Sequence, residues 1–346
     1  MSKYTGALMG CAIGDSLGIH VEGWKPQQIQ RYVGTITGLM NHIQPIGPAG
    51  EPIKEDEYGK LKRWSSDAKR GDISDDTILT LAVAEAVLER GFDLEHMARK
   101  HLEAYEANRQ PDGSYKGAFG GTTQLAFEAL KNGISPYESG NLKGPGNAPA
   151  MKMGPIGLYA ATDCGGAHLK FAEEVGRMTH LDTRSVASGM VQAGLVERLA
   201  GDEIHHRYFF HDAIMDLTAH CEEAPIAGMA NPEIRLLDKM RWIVKNHDAS
   251  VEETREALGN GGAVFESYPF AIFMFQKHWD NPKGGLLATV NAGGDCDTTG
   301  AIYGTLWGAR DGLDALPKEW VDGINEKERI LRVGWRFEHL DRMMNR

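Results

Sequence analysis

The chain has 346 residues, of which 42% are hydrophobic and 25% charged, which excludes a disordered, collagenous or fibrous protein. The 37 Lys and Arg against 48 Asp and Glu leave a net charge of −11. That balance excludes a long-range attraction to nucleic acid or to an anionic membrane, so the expected partners are small molecules or localised charges.

The opening segment, GALMGCAIGDSLGIHVEGW, is apolar and ends at Asp15 and Glu22. It lacks a secretory pattern, and no apolar run in the chain approaches the ~18 residues of a membrane span. An irregular stretch, Val33 to Arg70, rich in Pro, Gly and charge, follows. Apolar spacing then predicts a helix through Ile78, Leu81, Ala82, Ala84 and Leu88, closed by Gly91. Similar spacing predicts helices at Leu94 to Tyr105, Thr123 to Leu130, Leu169 to Met178, Thr183 to Leu199 and Tyr208 to Cys221. It continues through Pro232 to Val244, Val251 to Leu258, Phe265 to Phe275, Gly285 to Val290 and Thr298 to Ala309. Between them, Asn132 to Pro155 reads as a binding loop because of its Gly-Pro-Gly-Asn-Ala-Pro core. Alternating strand patterns are nearly absent, so the expected fold is all-α, with functional loops emerging from helix ends. Cys11, Cys164, Cys221 and Cys296 form no CxxC pair, which argues against disulfides and thiolate zinc and for a cytoplasmic setting.

Two motifs share a grammar. Ser74-Asp75-Asp76-Thr77 opens one helix, and Asp295-Cys296-Asp297-Thr298-Thr299 opens another. Capping would explain one Asp at each start. Paired carboxylates flanked by hydroxyls fit a second reading, in which two divalent ions balance the converging charges. All these candidate ligands are oxygens, which suits Mg²⁺ or Mn²⁺ better than Zn²⁺. Glu22, beside Gly23, is either a solvated loop residue or a base or gate at a cleft. His180 is either a surface or capping residue or a donor to a ligand. Gly120-Gly121-Thr122-Thr123 and Gly144-Pro145-Gly146-Asn147 could present backbone amides to a pyrophosphate. Gly300, Gly304 and Gly308 recur at four-residue spacing. They give their helix a smooth face for a tight crossing that would hold Asp295 and Asp297 in place.

Taken together, GALMGCAIGDSLGIHVEGW, GDISDDT, GNAPAMKMGP, MTH, ALGNGGAVFESYPFAIFMF and NAGGDCDTTGAIYGTLWGA resemble the ADP-ribosylglycohydrolases over nearly the whole chain. The resemblance implies one all-α domain over residues 1–346, with a loop insertion at about 40–70. It implies two Mg²⁺ or Mn²⁺ ions held by Ser74, Asp75, Asp76, Asp295, Asp297 and Thr298, with Asp297 bridging. Glu22 falls on the family's glutamate near the scissile bond, Asn147 and His180 on positions lining the distal ribose and diphosphate, and Asn260, Gly261 and Gly262 near the adenine pocket. Ser74 replaces a common Thr, Ala148 a common Gly and Lys152 a common Arg, which leaves the metal ligands intact and puts the diphosphate contacts in doubt.

The implied substrate is an ADP-ribosylated protein or a small-molecule ADP-ribosyl conjugate, cleaved at C1″ by a cytoplasmic monomer. The ions would orient the ribose and activate water, with Asp75 or Asp76 directing the water and Glu22 serving the leaving group or gating the site. Two other readings stay open: a non-catalytic ADP-ribose-binding or crystallin-like structural protein, and a metal-dependent phosphohydrolase.

Overall fold

A computed structural model describes residues 2–41, 68–164, 166–223 and 233–344. Most of the expected insertion at about 40–70 lies outside the described residues. The helices are α1 (Lys3–Gly18), α2 (Pro26–Tyr32), α3 (Asp75–Arg90), α4 (Leu94–Ala107), α5 (Gly121–Lys131), α6 (Ala148–Lys152), α7 (Gly154–Tyr159), α8 (His168–Arg177) and α9 (Thr183–Ala200). They continue as α10 (Arg207–Glu223), α11 (Leu236–Lys245), α12 (Val251–Leu258), α13 (Val264–Lys277), α14 (Pro282–Asn291), α15 (Cys296–Asp311), α16 (Lys318–Val321) and α17 (Lys327–Met344). The described residues contain isolated β-bridges but no sheet. The all-α expectation holds, and none of these helices is long and apolar enough to cross a membrane.

Most predicted helices appear with their ends moved by a residue or two. The α11 start is the largest shift, at Leu236 rather than Pro232, which lies outside the described residues. Gly91 closes α3 at φ +62°, a conformation a side chain would strain. The expected loop at Asn132 to Pro155 needs correction, because its last third is helical. Pro149 and Pro155 each sit in the first turn of a short helix, where a missing N–H costs nothing. Periodicity also missed α17, whose buried stripe is only Ile330, Val333, Gly334 and Phe337 on an otherwise charged helix.

The centre of the molecule is the antiparallel crossing of α1 and α15. Gly6, Gly10 and Gly14 of α1 face Gly308, Gly304 and Gly300 of α15, and a Cβ on any of the six would collide with backbone across the interface. Six glycines in helix interiors forfeit roughly 3–6 kcal/mol of helix propensity. Complete burial of Leu8, Met9, Ile13 and Leu17 on α1 offsets this, at roughly 1.5–3 kcal/mol per side chain. The crossing ends where Gly18 meets the backbone of Cys296 and Asp297. The predicted smooth face on α15 therefore finds its partner in the first helix, and the contact sets Asp15 beside Asp297.

Candidate active site

The acidic groups converge at helix starts. Ser74 caps α3: its Oγ accepts from the Asp76 amide at 3.2 Å and donates to Asp76 Oδ2 at 3.0 Å. The Asp75 amide donates to the Gly117 carbonyl at 2.7 Å, fixing the approach to α3. Gly293 and Gly294, at φ +68° and +70°, turn the chain sharply before Asp295. The Gly294 amide donates to the Trp24 carbonyl, the Gly23 amide donates to the Gly294 carbonyl, and the Asp295 amide donates to the Asn260 carbonyl. Thr298 joins the two motifs, its Oγ1 donating to Asp76 Oδ2 at 3.2 Å.

Two acidic clusters result. Carboxylate oxygens of Asp15, Asp76 and Asp297 lie within 4.8 Å of one another, as do those of Glu22, Asp295 and Asp297. Asp297 belongs to both. Burial, followed by the neighbouring carboxylates, pushes Asp75, Asp76 and Asp297 well above the usual carboxylate range. Burial raises Asp15 to about 6, even though it accepts hydrogen bonds from the Ser74 amide and from the amide and hydroxyl of Thr77. Asp76 Oδ1 is buried without a partner among the described residues. Such a set of carboxylates is stable as anions only beside cations, and no Lys or Arg lines the cleft among the described residues. An all-oxygen donor set with an orphaned carboxylate oxygen fits hard divalent ions.

The cleft has a volume of about 270 Å³ and is lined by Glu22, Asp75, Asp76, Asp295, Asp297 and Thr298 on its acidic side. Gly120, Gly121, Thr122, Gly146, Asn147, His180 and Gly262 line the rest, with Ala118, Thr123, Ala148 and Met151. Ala118 has φ +59°, a strained backbone of the kind that collects at functional sites. Asn147 Nδ2 donates to Asp295 Oδ2 at 2.6 Å and to Ser267 Oγ at 3.0 Å. His180 is buried, and its Nδ1 shares a hydrogen bond with Thr179 Oγ1. Burial, with Lys152 nearby, lowers its pKa to about 3, so the ring is neutral at physiological pH.

A family profile described as ADP-ribosylglycohydrolase matches residues 1–345. The chain belongs to the ADP-ribosylglycohydrolase family. It is 26% identical over 336 residues to the uncharacterized protein YegU of Escherichia coli strain K12, covering 94% of this chain and 93% of that protein. It is 25% identical over 351 residues to human ADP-ribosylhydrolase ARH3, covering 92% and 88%. A solved structure titled "ADP-ribosylglycohydrolase-related protein complex" shares the fold, with a TM-score of 0.64, 24% identity and 98% coverage of both chains.

Against this ADP-ribosylglycohydrolase background, several residues sit differently from the sequence expectation. Ser74 is buried at the cap of α3, behind the cleft lining rather than in it. Asn260 Nδ2 donates to the Ala292 and Gly293 carbonyls, and the Gly261 amide to Glu266 Oε2. Both hold their loop, while the adjacent Gly262 reaches the cleft. Sequence reasoning gave Asp15 no role. Its available signal was a carboxylate next to Gly14, in a helix whose glycines recur at four-residue spacing.

Proposed function

We propose that this chain hydrolyses the C1″ glycosidic bond of an ADP-ribosylated protein or small-molecule conjugate, releasing ADP-ribose, with Mg²⁺ or Mn²⁺ as cofactor. The observation that carries this reading is the pair of overlapping carboxylate clusters sharing Asp297, in a chain of the ADP-ribosylglycohydrolase family. The ADP-ribosylhydrolase name of the ARH3 relatives supports the same substrate class.

Divalent ions held by these carboxylates would supply positive charge that polarises ribose hydroxyls and water. Asp75, Asp76, Asp295 and Asp297 would hold those ions, with Thr298 contributing its hydroxyl and Ser74 orienting Asp76. Asp75 or Asp76 takes the proton of the attacking water as general base. Glu22, at the cleft wall, stands at the leaving group. Gly120, Gly121, Thr122, Gly146, Asn147 and His180 orient the sugar and diphosphate, and the loop of Asn260, Gly261 and Gly262 borders the adenine.

The test is incubation with arginine-linked and serine-linked ADP-ribosyl peptides, with Mg²⁺, with Mn²⁺ and with chelator, followed by mass spectrometry. Metal-dependent release of ADP-ribose is expected. Release of AMP would replace the reading with a phosphohydrolase, and tight binding without release with an ADP-ribose-binding protein. Glu22→Gln is expected to slow release by roughly 10²–10⁴-fold while Mn²⁺ binding persists, and unchanged turnover would remove Glu22 from the chemistry.

A further inference from the structure

Six carboxylates gather at this cleft: Asp15, Asp76 and Asp297 in one cluster, Glu22 and Asp295 with Asp297 in the other, and Asp75, which burial and then Asp15, Glu22 and Asp295 raise. Two divalent ions would bring four positive charges. The loaded site would still carry two negative ones, and a diphosphate entering it is anionic as well. One positive side chain lies just behind the lining. Lys152, the last residue of α6, is 0% exposed and does not line the cleft, and its Nζ is buried without a partner among the described residues.

Its place is fixed by the start of α3. The Thr80 hydroxyl lies 2.6 Å from the Asp76 carbonyl and 3.2 Å from the Met151 carbonyl, which ties the residue before Lys152 to the helix that carries Asp75 and Asp76. His101 and His180, whose pKa values burial and then Lys152 depress, are both neutral. His101 Nδ1 donates to the Met97 carbonyl at 2.8 Å, which leaves its buried Nε2 unprotonated and without a partner among the described residues. Burial pulls Lys152 down to about 7, and the charge of Asp75 draws it back up. A buried ammonium with no acceptor costs far more desolvation than a methionine of similar size, so packing alone gives no reason for a lysine here.

We propose that Lys152 is a positioning residue whose interior charge cancels one of the two negative charges left on the metal-loaded site, loosening the hold on the ions and easing entry of an anionic substrate. The proposal rests on the metal-dependent ADP-ribosyl reading of the cleft and adds to it a residue that acts through Asp75 from behind the lining. A positive charge there acts on both ligands with opposite sign, opposing the cations and favouring the anion. Its burial keeps salt from screening it as it would a surface charge.

The experiment is calorimetric titration of Mn²⁺ into chelator-stripped protein, then of ADP-ribose into the Mn²⁺-saturated protein, for wild type, Lys152→Met and Lys152→Arg. Lys152→Met is expected to bind Mn²⁺ about tenfold more tightly and ADP-ribose about tenfold more weakly, and Lys152→Arg to return both toward wild type. The opposite signs separate a charge effect from damaged packing, which would weaken both ligands. Should Lys152→Met melt well below wild type, Lys152→Gln, which keeps a polar tip without the charge, carries the same expectation. Affinities that stay equal to wild type, or that both fall in a variant with an unchanged melting temperature, would overturn the role of Lys152 and leave the metal-dependent reading in place. Wild type that binds no Mn²⁺ would overturn both.

Discussion

The acidic side of the cleft is carried by α1, α3 and α15, whose carboxylates are locked by a glycine crossing and by contacts between residues far apart in sequence. The opposite side is carried by the start of α5, the loop before α6 and the segment between α8 and α9, tied over smaller sequence separations by bonds such as Asn141 to the Thr122 and Thr179 carbonyls. The difference follows from charge. Carboxylates forced together repel, so they need a rigid scaffold to stay in place. Backbone amides at a helix start are oriented by the helix itself and need only a loop to complete them.

The largest expected effect breaks the acidic side at its shared point. Asp297→Asn is expected to lower turnover by about 10³-fold or more and to weaken Mn²⁺ binding, read by single-turnover kinetics and calorimetry. Retained Mn²⁺ stoichiometry and rate would show that the clusters act independently. Next, Gly10→Ala drives a methyl into the Gly304 carbonyl, and thermal or urea unfolding should show a loss of about 3 kcal/mol. A comparable loss from altering the Asn141 loop would erase the contrast between the two sides.

Opposite pH slopes sharpen the comparison further. In metal-free protein the Asp15 carboxyl is raised from 3.8 to about 6, so its contribution to stability is full below about pH 3.8 and is lost as pH rises through about 6, on the order of 3 kcal/mol. His180 is lowered from 6.5 to about 3, so its contribution is full above about pH 6.5 and is lost as pH falls toward about 3. The stability of Asp15→Asn relative to wild type should therefore rise between pH 4 and pH 7, whereas His180→Asn should lose a dependence of the opposite sign. Parallel slopes for the two variants in chelator-containing unfolding curves would contradict this account.

Much of this was legible in the chain. Helices such as α3 and α15 carry broad apolar faces and clear closing glycines, and the shared Asp-and-hydroxyl grammar at their starts marked where the carboxylates meet. The Gly300, Gly304 and Gly308 stripe announced a close crossing but not its partner. The reason is that α1 looks uniformly apolar, and every residue from Thr5 to Gly18 is buried. Asp15 stayed hidden for the same reason, because a lone acid inside such a helix carries no periodic signal. The helices α6 and α7 were masked by prolines that start helices as readily as they break them.

The α1 and α15 crossing also fixes when the enzyme can first exist during synthesis. Cys296 Sγ meets the Gly18 carbonyl across 278 residues, so a nascent chain holds its first helix without the complementary groove until the last fifth has left the ribosome. Until then α1 exposes a glycine-lined apolar surface to the cell, and such a long-range closure is slow and aggregation-prone. A newly made chain is therefore expected to lean on chaperones more than the folded protein does, because the two halves of the site lie far apart in sequence.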